Sequence, residues 1–90
     1  MGKKIIKFEA DWCMPCKVLT NILKDKEFKD IEIQAINIED DSSFELVQQY
    51  QVRNIPTLFY YQDDELIGKS VGLQTKEKIL EIFEKNNTVE

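Results

Sequence analysis

Cys13 and Cys16 sit three positions apart, where a β-prone run gives way to a helix-patterned one, and this junction constrains the chain more than any other feature. Upstream, Ile5, Ile6 and Phe8 mark residues 3–10 as a short strand apolar on both sides. Downstream, Val18, Leu19, Ile22 and Leu23 recur at helical spacing within residues 16–28, with Lys17, Asn21, Lys24 and Asp25 on the opposite side. The segment Trp12-Cys13-Met14-Pro15-Cys16 therefore opens a helix. Unpaired backbone N–H groups and the helix dipole favour negative charge at such an end. The thiolate is the nucleophile of disulfide exchange, so Cys13 is placed where its reactive form is stabilised. Pro15 suits the first turn, where a missing N–H is no loss. Cys16, one turn along, lies beneath Cys13 and within reach of it for an intramolecular disulfide.

The cycle implied is short. Cys13 attacks a substrate disulfide to give a mixed disulfide, and Cys16 then attacks the Cys13 sulfur, releasing reduced substrate and leaving Cys13–Cys16 oxidised. Two other readings of the pair stay open. Cysteines can be small buried hydrophobes without chemistry. A Cys-x-x-Cys pair can also be half of a zinc site, but with 2 Cys and 0 His a single chain would have to add two carboxylates, or two chains would share one metal.

The rest of the chain reads as one domain over residues 1–90. Ile31, Ile33, Ala35, Ile36 and Ile38 make a second strand. Ser42 followed by Glu45 is a capping-box pattern, opening a helix whose apolar stripe is Phe44, Leu46, Val47 and Tyr50. After Pro56, residues 57–61 are strongly β-prone. Gln62-Asp63-Asp64-Glu65 then forms a polar turn, and residues 66–71 return as the other arm of a hairpin. Thr75 is placed to cap a last helix bearing Ile79, Leu80, Ile82 and Phe83, and the polar tail 86–90 is expected to fray. The order is β-α-β-α-β-β-α. A right-handed crossover joins the first two strands in parallel, and the hairpin adds antiparallel ones. The expected fold class is α/β, a four-stranded mixed sheet with helices on both faces.

Composition narrows the partners. A net charge of -5 with no local Lys/Arg cluster argues against nucleic acid. Lys7 and Glu9 interrupt the N-terminal apolar run too early for a signal-peptide core, and Ile6 stands where a myristoylation site has Ser or Thr. A cytoplasmic chain with no membrane partner is the expectation.

Three blocks of the chain resemble the thioredoxin family. Ala10-Asp11-Trp12-Cys13-Met14-Pro15-Cys16-Lys17 is similar to its A-E-W-C-G-P-C-K segment, Val52-Arg53-Asn54-Ile55-Pro56-Thr57-Leu58 to its V-R-G-I-P-T-L segment, and Val71-Gly72 to the V-G that completes its substrate groove. The likeness spans nearly the whole chain without the family's usual first strand and helix, as in its smallest members. It implies a minimal thioredoxin-like fold and protein disulfide reductase activity. Cys13 would be the nucleophile and Cys16 the resolving thiol, with Pro56 following a cis peptide bond beside them. Trp12, Met14, Pro15, Ile55, Val71, Gly72 and Leu73 would line a shallow apolar docking surface. The resemblance further implies protein disulfides as substrates, a thioredoxin reductase as electron donor, no tightly bound cofactor beyond the redox-active disulfide, and a monomer. Trp12 directly before Cys13 is unlike the glutaredoxins. A glutaredoxin- or isomerase-like enzyme of higher potential, or a binding subunit using the same surface without redox chemistry, are the alternatives.

One departure bears on the chemistry. Lys7 stands where the family commonly has a buried acid beneath the second cysteine, and Ala35 where it has the lysine paired with that acid. Lys7 either packs its stem in the sheet and sends its amine to water or to an acid such as Glu9 or Glu39, or it approaches Cys16 or Cys13 as a modulator of thiol ionisation. Stabilising the reduced form by roughly 2.7 kcal/mol raises a two-electron potential by about 60 mV. Met14 replaces the family's usual Gly and adds soft apolar surface beside Cys13. Asn21, where a helix-kinking Pro is common, is expected to leave the first helix straighter.

Overall fold

Strand β1, Lys3–Glu9, is buried along most of its length, and both of its edges are paired. The computed structural model describes residues 2–87. On one edge β1 pairs in parallel with β2, Ile31–Asn37, setting Lys7 beside Ala35. On the other it pairs antiparallel with β3, Thr57–Gln62, setting Lys7 beside Leu58. Strand β4, Glu65–Val71, completes the four-stranded sheet, whose order is β2-β1-β3-β4. Parallel neighbours need a crossover, and helix α1, Met14–Ile22, supplies it.

A central strand presents side chains to both faces, so β1 reads as a nearly continuous apolar run. Ile5 packs with Leu58 and Tyr60 of β3, with Leu19 of α1, and with Ile79 and Phe83 of helix α3, Lys76–Asn87. Ile6 and Phe8 face the other way, onto Leu46, Val47 and Tyr50 at helix α2, Phe44–Gln49. There Tyr50 and Phe59 meet edge to face at 4.7 Å, and Phe8 lies 5.8 Å from Phe59. Helices thus cover both faces, as the sequence pattern predicts.

The β3–β4 turn has Asp63 and Asp64 both at positive φ, 53° and 69°. This matches the two-residue hairpin turn whose twist suits adjoining strands, with Asp serving where Gly or Asn is commonest. Thr75 caps α3 as expected, its hydroxyl accepting the Lys78 N–H at 3.2 Å. The helix continues to Asn87, and the remainder of the expected frayed tail lies outside the described residues.

Two helices depart from the sequence reading. The first ends at Ile22 rather than near Phe28, because Asp25 adopts an extended conformation and its carboxylate caps a separate 3-10 turn, Lys26–Phe28, by accepting the Glu27 N–H. That turn lets Phe28 drop into the core and returns the chain to β2. The capping box at Ser42 and Glu45 does not form. Asp40 caps a 3-10 turn, Asp41–Ser43, and α2 then begins at Phe44 with no side-chain cap. Phe44 is exposed, outside the apolar stripe assigned to it.

Candidate active site

The chain leaving β1 turns at once, with the Cys13 N–H donating to the Ala10 carbonyl at 3.1 Å. This places Cys13 at the N-cap of α1, in an extended conformation, where its sulfur accepts the Cys16 N–H at 3.2 Å. Sulfur thereby fills the role a Ser or Asp oxygen plays at other helix starts. Pro15 lies in the first turn, and no acidic side chain there opposes a negative sulfur. The Cys13 and Cys16 Cα atoms are 5.2 Å apart and the pair is joined as a disulfide, within the usual span for such a bond. Both residues are almost wholly buried, Cys13 slightly less so than Cys16.

Trp12 and Met14, which flank Cys13 in the chain, are exposed, as are Val71 and Leu73 on either side of Gly72. Trp12 is 65% and Met14 67% exposed, well above what a large apolar residue shows when it packs in a core. The Trp12 indole is oriented by Glu39, just beyond β2, whose carboxylate accepts its N–H at 2.7 Å. Ile55 packs against Ala10, Cys13 and Cys16. The Ile55–Pro56 bond is cis and Pro56 is fully buried. Thr57 steadies this loop by donating its hydroxyl to the Asn54 carbonyl at 2.5 Å. Gly72, at φ 90°, donates its N–H to the Pro56 carbonyl at 2.8 Å, bringing the end of β4 to the same place.

Lys7 does not reach water. It is 3% exposed, and its ammonium donates to the Thr20 hydroxyl and pairs with the Glu9 carboxylate at 2.7 Å. Thr20 in turn donates to the Cys16 carbonyl at 3.0 Å. Of the two acids named from the sequence, Glu9 is the partner of Lys7, while Glu39 is taken by Trp12. The sequence reading names neither Thr20 nor the pairing of Glu39 with Trp12. Thr20 carried a signal, because a Thr four residues after Cys16 in a helix is placed to bond its carbonyl.

Among the described residues no group of three or more His, Cys, Asp or Glu side chains is placed to hold a metal. A hollow of about 440 Å³ lies at the far end of the sheet, lined by Lys3, Lys4, Tyr50, Tyr61 and Asp63 among others, away from the cysteines.

A disulfide whose outer sulfur caps a helix, beneath a buried Pro loop and at the carboxyl end of a central strand, defines a thiol–disulfide oxidoreductase of thioredoxin-like fold. The thioredoxin family model matches residues 2–85. The thioredoxin of Chlamydia trachomatis is 34% identical over 85 residues, covering 94% of this chain and 83% of its own. That of Staphylococcus epidermidis is 33% identical over 86 residues, with the same coverages. Among solved structures, the N21Q mutant thioredoxin from Halobacterium salinarum superposes with a TM-score of 0.81 at 27% identity, covering 98% of this chain and 77% of that one. The chain belongs to the thioredoxin family, and its chemistry is thiol–disulfide exchange at Cys13 and Cys16.

Proposed function

We propose that this chain is a protein disulfide reductase: one domain, acting as a monomer in the cytoplasm, that draws electrons from a thioredoxin-reductase-type donor and needs no tightly bound cofactor. The observation that carries the reading is the Cys13 sulfur at the N-cap of α1, accepting the Cys16 N–H, with the exposed side chains of Trp12 and Met14 on either side of it in the chain. The hydrogen bond and the helix dipole favour the Cys13 thiolate over the thiol. These exposed apolar side chains offer an extended protein segment a surface that a small thiol does not need.

In the reaction, Cys13 thiolate attacks one sulfur of the substrate disulfide, and the other sulfur leaves as a thiolate that takes a proton from solvent. Cys16 loses its proton and attacks the Cys13 sulfur. The second substrate sulfur leaves, and the Cys13–Cys16 bond forms with two electrons transferred. Trp12, Met14, Pro15, Val71 and Leu73 supply the apolar contact. Ile55 presents its backbone beside Cys13, where an extended substrate can add strand-like hydrogen bonds, while the Pro56 carbonyl and the Gly72 N–H hold each other. The donor closes the cycle by reducing the disulfide.

Equilibration in defined glutathione or dithiothreitol buffers, followed through Trp12 fluorescence, tests the direction. Trp12 is the only tryptophan and adjoins Cys13. A midpoint near about -270 mV is expected of a reductase, and one near about -200 mV would make the chain glutaredoxin- or isomerase-like instead.

A further inference from the structure

A lysine at 3% exposure in the middle of a central strand is out of place unless something holds its charge. The strands beside Lys7 contribute Ala35 and Leu58, neither of them charged. From α1 and the turn after it, Thr20, Leu23 and Lys24 line a shallow groove with Lys7 and Ile33, so the nearby charge on that side is another cation. Glu9, two residues on and on the same face of β1, is, among the described residues, the one carboxylate paired with the ammonium. Thr20 commits its own proton to the Cys16 carbonyl and so turns a lone pair towards Lys7. A fixed positive charge is thereby held two hydrogen bonds from the backbone of a cysteine that is 1% exposed.

We propose that Lys7 and Glu9 are a charge couple that sets the reduction potential of Cys13–Cys16, with Thr20 positioning the cation. The proposal rests on the disulfide exchange assigned to this pair. Against glutathione, the disulfide and two glutathione thiols become Cys13 thiolate, Cys16 thiol, glutathione disulfide and one proton. Reduction creates one negative charge at the site where the oxidised form has none. Lys7 favours that charge through apolar surroundings that screen weakly. Glu9 opposes it, but its side chain is 27% exposed and water screens it more than the buried ammonium. The couple therefore leans towards the reduced form, and either member alone pulls the equilibrium in its own direction.

The experiment measures the equilibrium constant with glutathione for the native chain, Lys7→Met, Glu9→Gln and the double variant. Lys7→Met leaves the carboxylate alone, and the constant is expected to move about tenfold towards the disulfide, a fall of about 30 mV. Glu9→Gln leaves the cation alone, and the constant is expected to move several-fold the other way. The double variant, again without net charge at the site, is expected within about threefold of the native value. A role confined to packing does not give opposite signs for two neighbouring substitutions. Lys7→Gln repeats the first arm with a polar replacement should the Met variant fold poorly, as judged by circular dichroism. Single variants that shift the constant in the same direction, or both by less than about twofold, overturn the charge couple while leaving the exchange chemistry standing. A native chain with no reversible two-electron transition overturns both.

Discussion

The backbone N–H of Gly72 meets the carbonyl of Pro56 at 2.8 Å, joining the end of β4 to the loop before β3 at the edge of the disulfide. Neither residue is reactive. Their bond ties the segment around Gly72 to the loop that carries Ile55, so that two segments 16 residues apart in sequence meet. Gly72 holds φ at 90°, where a side chain is strained even though a Cβ there would touch nothing within 4 Å. Gly72→Ala should therefore lose about 1 to 2 kcal/mol purely from the backbone, read as a lower urea midpoint at unchanged slope.

The two cysteines have unequal duties, and single substitutions separate them. Cys16→Ser leaves the attacking thiol but not the resolving one, so mixed disulfides with protein substrates should accumulate, visible as adducts on non-reducing gels and by mass spectrometry. Cys13→Ser should form no such adduct and lose at least about a thousandfold in insulin-type disulfide reduction. Adducts that survive in Cys13→Ser would reverse the assignment.

Trp12 is the largest exposed apolar group adjoining the cysteines in the chain, held by Glu39 rather than by packing. Trp12→Ala should change stability by less than about 1 kcal/mol, since little surface around it is buried. It should lower kcat/KM for a protein disulfide about tenfold, the loss typical of an interface anchor, mainly through KM. Turnover of a small aromatic disulfide should fall much less. Equal losses for both substrates would place Trp12 in the chemistry instead of the docking.

Alkaline stability turns on Tyr60. Its ring is fully buried and its hydroxyl shares a hydrogen bond with Ser70 at 2.8 Å. Burial pushes its pKa up to about 12, against the smaller opposing effect of Ser70. The folded value exceeds the unfolded one, so this contribution is whole below about pH 10 and is lost as pH rises towards 12, on the order of 2 kcal/mol. Tyr61 rises to about 12 as well, from desolvation first and then Tyr50, so Tyr60→Phe should flatten the alkaline limb in part. Urea unfolding at about pH 9 and about pH 11 checks the sign, and a Phe variant with an unaltered limb would remove Tyr60 as the cause.

Much of this molecule is local and therefore legible along the chain. The alternation of strands and helices, the cap at Thr75 and the Cys-x-x-Cys at a strand–helix junction all follow from residue spacing, because 2.0 and 3.6 periodicities and helix-end chemistry act within a few residues. The three motif blocks added the resemblance to the family. Element ends were less legible: α1 stops at Ile22 because Asp25 starts a new turn, a contest between neighbouring local preferences that the core decides by burying Phe28. Beyond that, the tertiary structure chose the partners. Two acids were available to Lys7, and only folding sent Glu9 to it and Glu39 to Trp12. Thr20 meets Lys7 because the crossover lays α1 back over β1, thirteen residues away in sequence. Such pairings depend on which groups the packed sheet and helix bring within 3 Å and shield from water. One-dimensional spacing carries the reactive sulfurs; the charge beneath them exists only in the folded chain.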